Sequence, residues 1–181
     1  MTATTLLLLA HPAAPPPSGL TISAQAGIAP TGDLELCFDL AGAIDALRIP
    51  PLAAPEACDG LWQHTCCEAF IRERGSSAYR EFNFSPSRQW AAYNFPDYRQ
   101  RDPDWQPPAA PEIRVTRTAT GLRLDARVPA ALLPPAPAWQ LGLSLVAEAT
   151  TGDLSYWALA HGSERPDFHH PASFVLDLSR S

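Results

Sequence analysis

The sequence predicts an all-β fold, two antiparallel sheets packed as a β-sandwich of about ten strands. Three observations predict it. Apolar residues alternate with polar ones at period two, as in a strand with one buried face. Leu34, Leu36, Phe38 and Leu40 alternate with Glu35, Cys37 and Asp39, and Leu122, Leu124, Ala126 and Val128 alternate with Arg123, Asp125 and Arg127. Gly- or Pro-containing turns of hairpin length separate such runs. The 20 prolines cluster at 12–17, 50–55, 103–111 and 129–137, and proline cannot donate to a central ladder, so these stretches are connections.

In chain order, Leu6 to Ala10 reads as a first strand, too short and without a preceding cation to be a signal core. Thr31-Gly32-Asp33 joins the run 20–28 to the run 34–40. Ser85-Pro86-Ser87 joins 79–84 to 90–95, Thr120-Gly121 joins 113–118 to 122–128, and Thr151-Gly152-Asp153 joins 141–150 to 154–161. Ser173 to Leu178 closes the chain, and short helices fit at 41–47 and 130–133. The 181 residues suit one domain spanning 1–181.

A net charge of -6 argues against a nucleic-acid surface, which needs basic groups to replace counterions, and against docking on anionic lipid. No run approaches the ~20 apolar residues of a membrane helix. The expected location is the cytoplasm, where Cys37, Cys58, Cys66 and Cys67 are free thiols. All 13 basic residues are Arg, so no lysine is present as nucleophile, Schiff base or haem ligand.

The segment 59–99 is the densest in aromatic and charged residues. With Phe82 and Phe84 facing the core, Glu81 and Asn83 face outward; with Ala69 and Ile71 inward, Glu68, Phe70 and Arg72 face outward. With Tyr93 and Phe95 inward, Trp90 and Asn94 join that outer face. A face carrying Glu68, Arg72, Glu81, Asn83, Trp90 and Asn94 has what sugar recognition uses. An indole stacks on pyranose C–H faces, and carboxylate, amide and guanidinium groups fix hydroxyls. The alternative reading of the same face is a cross-strand ion-pair surface with Trp90 covering apolar area.

The pattern L-W-x-x-T-C-x-E-x-F-I … Y-x-E-F-N-F-S-P-S-x-x-W-A-x-Y-x-F-x-x-Y-R, with the later Y-W-A-L-A-H and P-D-F-H-H elements, resembles bacterial DOMON-like proteins. These are similar to family 9 carbohydrate-binding modules and to DOMON domains generally. The resemblance implies a jelly-roll-like sandwich with a ligand site on one sheet face, and a ligand that is a sugar or haem. Family 9 modules clamp a sugar between two tryptophans among carboxylate, Arg and Asn side chains. The resemblance makes Glu68 the acidic residue and sets Asn83 near the polar position of the next strand. It leaves Trp62, Trp90, Trp105 and Trp157 as candidates for the clamp. Arg99 closes the Y-R element and either pairs with a carboxylate or reaches the ligand.

Haem-binding relatives use Met with His or Lys, and this chain has neither lysine nor an internal methionine, which leaves a bis-His pair from His64, His161, His169 and His170. A zinc site would draw on Asp167, His161, His169 and His170, but adjacent side chains diverge, and local hydrogen bonding accounts for the histidines equally. Glu68, Glu81 and Glu148 are the carboxylates available to a glycoside hydrolase, and no G-x-S-x-G, G-x-G-x-x-G or Walker motif occurs. A protein-interaction module is a further class, with Trp105 in its Pro-rich loop either anchoring a partner or, as is commoner, pinning that loop to the sandwich. The reading that fits most of these residues is a non-catalytic module binding a sugar or sugar-containing small molecule, with no cofactor or metal required. Its candidate contacts are Trp90, Glu68, Glu81, Asn83, Arg72, Asn94, Arg99, Trp62 and Trp157.

Overall fold

A computed structural model describes residues 4–179 of the chain. The strands are β1 (Leu6–Leu7), β2 (Leu9–Ala10), β3 (Leu20–Ile28), β4 (Leu34–Gly42), β5 (Cys66–Glu73) and β6 (Tyr79–Phe84). They continue as β7 (Trp90–Phe95), β8 (Glu112–Arg117), β9 (Gly121–Val128), β10 (Ala138–Glu148), β11 (Leu154–Ala158) and β12 (Leu176–Ser179). The only helical turns among the described residues are 3₁₀ turns at Ile44–Ala46, Leu61–Gln63, Ala130–Leu132 and Pro171–Ser173.

The strands form two antiparallel sheets, one ordered β1-β3-β4-β9-β8, the other β2-β11-β10-β5-β6-β7 with β12 also on β10. The sandwich expected from alternation is therefore present, with twelve strands among the described residues. The first expected strand is split: β1 pairs with β3 in one sheet and β2 with β11 in the other. Between them Leu8 is buried and its N–H bonds Ile22 O.

The inter-sheet core takes Ile22, Phe38 and Leu124 from one sheet and Ile71, Phe82 and Leu143 from the other. A second apolar cluster lies on the outer face of the seven-stranded sheet, built from Phe70, Tyr79, Tyr93, Phe95 and Val146 with Phe168 and Phe174. The segment 161–174 crosses that face and closes it. This is why β5 is buried at six consecutive positions, Cys66 to Ile71, rather than at alternate ones: it is covered on both sides.

Gly142 on β10 permits the crossing. A Cβ there would lie 2.9 Å from Ser173 O and 3.8 Å from the Phe70 Cβ. Gly142→Ala is expected to push the 171–174 turn off the sheet and to cost about 1–3 kcal/mol, as over-packing does. Hydrogen exchange would show faster exchange confined to 161–174.

Candidate functional site

Register fixes what shares the outer face. Glu68 lies opposite Asn83 on β6 and Ser144 on β10; Glu81 lies opposite Phe70 and Tyr93. These rows floor a cleft of about 340 Å³ whose walls include Trp62, Phe95, Tyr156, Asp167, Phe168 and His169, with Arg99 and Arg101 at one side.

The cleft is organised around two buried carboxyls, Glu68 and Glu81, 2% and 5% exposed. Asn83 Nδ2 donates to Glu81 Oε1 at 2.7 Å, and Cys66 Sγ donates to Asn83 Oδ1 at 3.6 Å. Glu68 Oε1 and Ser144 Oγ are buried without a hydrogen-bond partner among the described residues. Burial pushes Glu81 up to about 7, against the opposing pull of Asn83, Arg101 and Arg99. Burial, and then the Glu81 charge, push Glu68 well above the usual carboxylate range.

His169 closes the floor. Its Nδ1 lies 2.7 Å from Tyr79 Oη, which also accepts the Arg99 N–H at 3.0 Å. With Tyr79 donating to Nδ1, the imidazole proton sits on Nε2, 3.8 Å from Glu81 Oε2. Burial, then the Arg99 charge, lowers this histidine to about 4; the ring is neutral and packs edge-on to Phe70 and Phe95 at 5.0 and 5.2 Å.

Two loops supply the wall. Arg99 holds a left-handed backbone, φ 55°, unusual for a residue with a side chain. Its Nη2 donates to Asp167 Oδ1 at 2.7 Å, and Tyr98 Oη donates to Asp167 Oδ2. Burial would raise Asp167, but those two bonds and the Arg99 charge outweigh it and the carboxylate is held below its usual value. Arg101 lies over the Tyr93 ring, 4.1 Å from its centroid, and pairs with Asp59 at 3.5 Å. The Tyr93 hydroxyl also donates to Asp59.

Of the nine residues expected at a ligand face, the structure brings Glu68, Glu81, Arg99 and Trp62 to the cleft, with Asn83 beside Glu81. Trp62 is half exposed at its edge. Arg72 shares the outer face but is spent under the crossing segment. It donates to Gln140 Oε1 and to Pro171 O, with its guanidinium 4.5 Å from the Phe174 ring centroid.

Three expectations are corrected. Trp90 pairs in register with Phe84 and is buried on the inward side of β7, where its backbone also bonds Glu56 and Cys58. Asn94 follows the same parity, lying opposite Arg80 and bonding Asp102. The parity of β7 is the reverse of that expected because Tyr93 and Phe95 are buried in the outer cluster, not the inter-sheet core. Trp157 lies opposite Leu145 in the inter-sheet core, its Nε1 donating to Ser155 Oγ. Trp105 packs on the core under the Arg80 guanidinium.

Tyr93, Phe95, Arg101, Tyr156 and Phe168 are cleft residues that the sequence reading missed, and His169 was weighed there only as a haem or metal ligand. The one available signal was the Y-R-Q-R and P-D-F-H-H pair of elements, whose meeting is tertiary. The four histidines weighed for haem have separate partners. His64 bonds Glu148, His161 bonds Leu9 O, His169 bonds Tyr79, and His170 accepts from Ala172 N–H.

No protein-family model matches the sequence, and no curated protein matches it. Among solved structures, the chain is similar to a proposed carbohydrate-binding protein from Bacteroides uniformis, with a TM-score of 0.70 and 17% identity over 98% of this chain and 86% of that one. It is also similar to a family 9 carbohydrate-binding module from Caldicellulosiruptor kristjanssonii in complex with cellotriose, with a TM-score of 0.57 and 10% identity over 97% and 84% of the two chains. The module from that organism in complex with glucose gives a TM-score of 0.55 and 10% identity over 96% and 86%. At these identities the shared property is the fold.

Proposed function

We propose that the cleft on the outer face of the seven-stranded sheet binds a carbohydrate, and that the protein acts by binding rather than by catalysis. The observation that carries this reading is the composition of the cleft: buried carboxyls on its floor, guanidinium groups at its side and aromatic rings around it. Sugar hydroxyls donate to carboxylates and accept from guanidinium groups, while the rings cover apolar C–H faces. The fold shared with sugar-complexed family 9 modules supports the same reading. A binding role is favoured because the candidate carboxylates do not assemble as a catalytic set. Glu148 is tied to Arg48 and His64 at 2.9 and 2.8 Å and does not line the cleft, and Glu68 and Glu81 rise from one floor rather than flanking a bond.

Titration of intrinsic fluorescence with glucose, cellobiose and cellotriose tests it, Trp62 being the reporter at the cleft edge. A saturable change is expected with at least one sugar. Tyr93→Ala is expected to weaken that binding by about tenfold or more, since an aromatic contact contributes ~0.5–1.5 kcal/mol beyond its buried area. Trp90→Phe is expected to lower stability and leave affinity unchanged. Absence of saturable binding to every sugar tried would overturn the reading.

A further inference from the structure

The charges of the cleft balance at its side and not at its floor. Arg99 is matched by Asp167 at 2.7 Å and Arg101 by Asp59 at 3.5 Å. No arginine among the described residues hydrogen-bonds Glu68 or Glu81. Glu81 receives one neutral amide and faces a neutral imidazole, while Glu68 Oε1 and the cross-strand Ser144 Oγ have no partner among the described residues. A buried carboxyl pair is costly unless it holds a proton or meets a cation. Hydroxyls of a neutral sugar would satisfy hydrogen bonds but not the charge.

We propose, on the premise that the cleft binds a carbohydrate, that its preferred ligand is an amino sugar whose protonated primary amine sits against Glu68 and Glu81. An ammonium group brings three donors to the unpartnered Glu68 Oε1, the Glu81 carboxyl and the Ser144 hydroxyl. Arg99 and Arg101 are each paired with an aspartate, Asp167 and Asp59, which offsets part of the repulsion that their charges exert on a cation at the floor. The groups facing the carboxyls from the surrounding elements are Tyr93 and Asp59, Arg99 and Arg101, and His169 and Asp167. Glu81, pushed up to about 7 by burial, is partly protonated at pH 7 in the empty cleft; an ammonium against it favours the carboxylate, so binding releases protons to the buffer.

Calorimetric titration at pH 7 with glucosamine, N-acetylglucosamine and glucose, each in two buffers of different ionisation enthalpy, tests this. Glucosamine is expected to bind at least about tenfold more tightly than the other two, with a buffer-dependent heat that reports proton release. Glu81→Gln, which keeps an acceptor but removes the charge, is expected to bring the three sugars within a few-fold of one another. Glucose or N-acetylglucosamine binding as tightly as glucosamine would overturn the amine preference and leave the carbohydrate reading standing. No binding by any sugar would remove both. The comparison of ligands on the unmodified protein decides the matter by itself if the variant proves unstable.

Discussion

Phe82→Ala is expected to lower the unfolding free energy by about 3–5 kcal/mol, the range for a buried phenylalanine truncated to alanine. Phe82 is fully buried on β6, its ring 6.4 Å from that of Phe84 and nearly parallel to it in the inter-sheet core. The neighbours Glu81 and Asn83 project from the opposite face into or beside the cleft. β6 is held between β5 and β7 by ladder bonds along its length, so the cavity cannot close by sliding the strand. For a chain of this size the loss corresponds to a fall in melting temperature of roughly 10 °C. Thermal unfolding followed by circular dichroism gives the value. A loss below about 1 kcal/mol would mean that the two sheets are not held together at this layer.

Stability is expected to peak at mildly acidic pH and to fall as pH rises above about 6.5. Glu81, raised from 4.5 to about 7 by burial, holds its proton more tightly in the folded chain than in the unfolded one. That contribution is complete below about 4.5 and is lost as pH rises through 7, about 3 kcal/mol in all. Glu68, also raised by burial, acts in the same direction. His169, lowered to about 4, has the opposite sign: its contribution is present above 6.5 and is lost as pH falls through 4. Between about 4.5 and 6.5 the two oppose one another; above 6.5 the histidine is neutral in both states and only the carboxyls remain. Asp59, lowered mainly by the Tyr93 hydroxyl, and Asp167 set the acid limit. Melting temperatures between pH 5 and 9 test this, and the double variant Glu68→Gln, Glu81→Gln is expected to flatten the alkaline decline. A melting temperature that rises from pH 6.5 to 9 would contradict it.

The strands were legible because alternation and Gly-containing turns are local. Strands β4 and β9 alternate as expected, and each forms the hairpin its turn implies, with β3 and β8 respectively. The parity of β5 and β6 was also legible, since Phe82 and Phe84 alternate with charged and amide side chains. Strand β7 was not: Trp90, Tyr93 and Phe95 put large aromatics on both parities, and alternation discriminates nothing when both faces are buried. What covers the outer face comes from residues 161–174, some seventy positions along the chain from β7, and only tertiary structure brings them together. The same holds for Arg99 and Arg101, whose place at the cleft depends on the turn after β7 and on Asp167. The carboxyls were found because an acid on a strand is anomalous by itself; the rings around them were missed because an aromatic on a strand is ordinary.

The division of the N-terminal segment between sheets bears on the order in which the molecule is built. Leu6–Leu7 and Leu9–Ala10 staple opposite sheets through a single residue, while Leu176–Ser179 pairs with the first residues of β10 on the edge that β11 covers only further along. Leu6–Leu7 can pair with β3 as soon as that strand is made, but the partner of Leu9–Ala10, β11, follows well over a hundred residues later. The seven-stranded sheet is not complete until the last strand has emerged. Folding of this chain, dominated by pairings far apart in sequence, is expected to be slow, with the unsealed edges of β10 and β11 as the surfaces most exposed to mispairing in the interval.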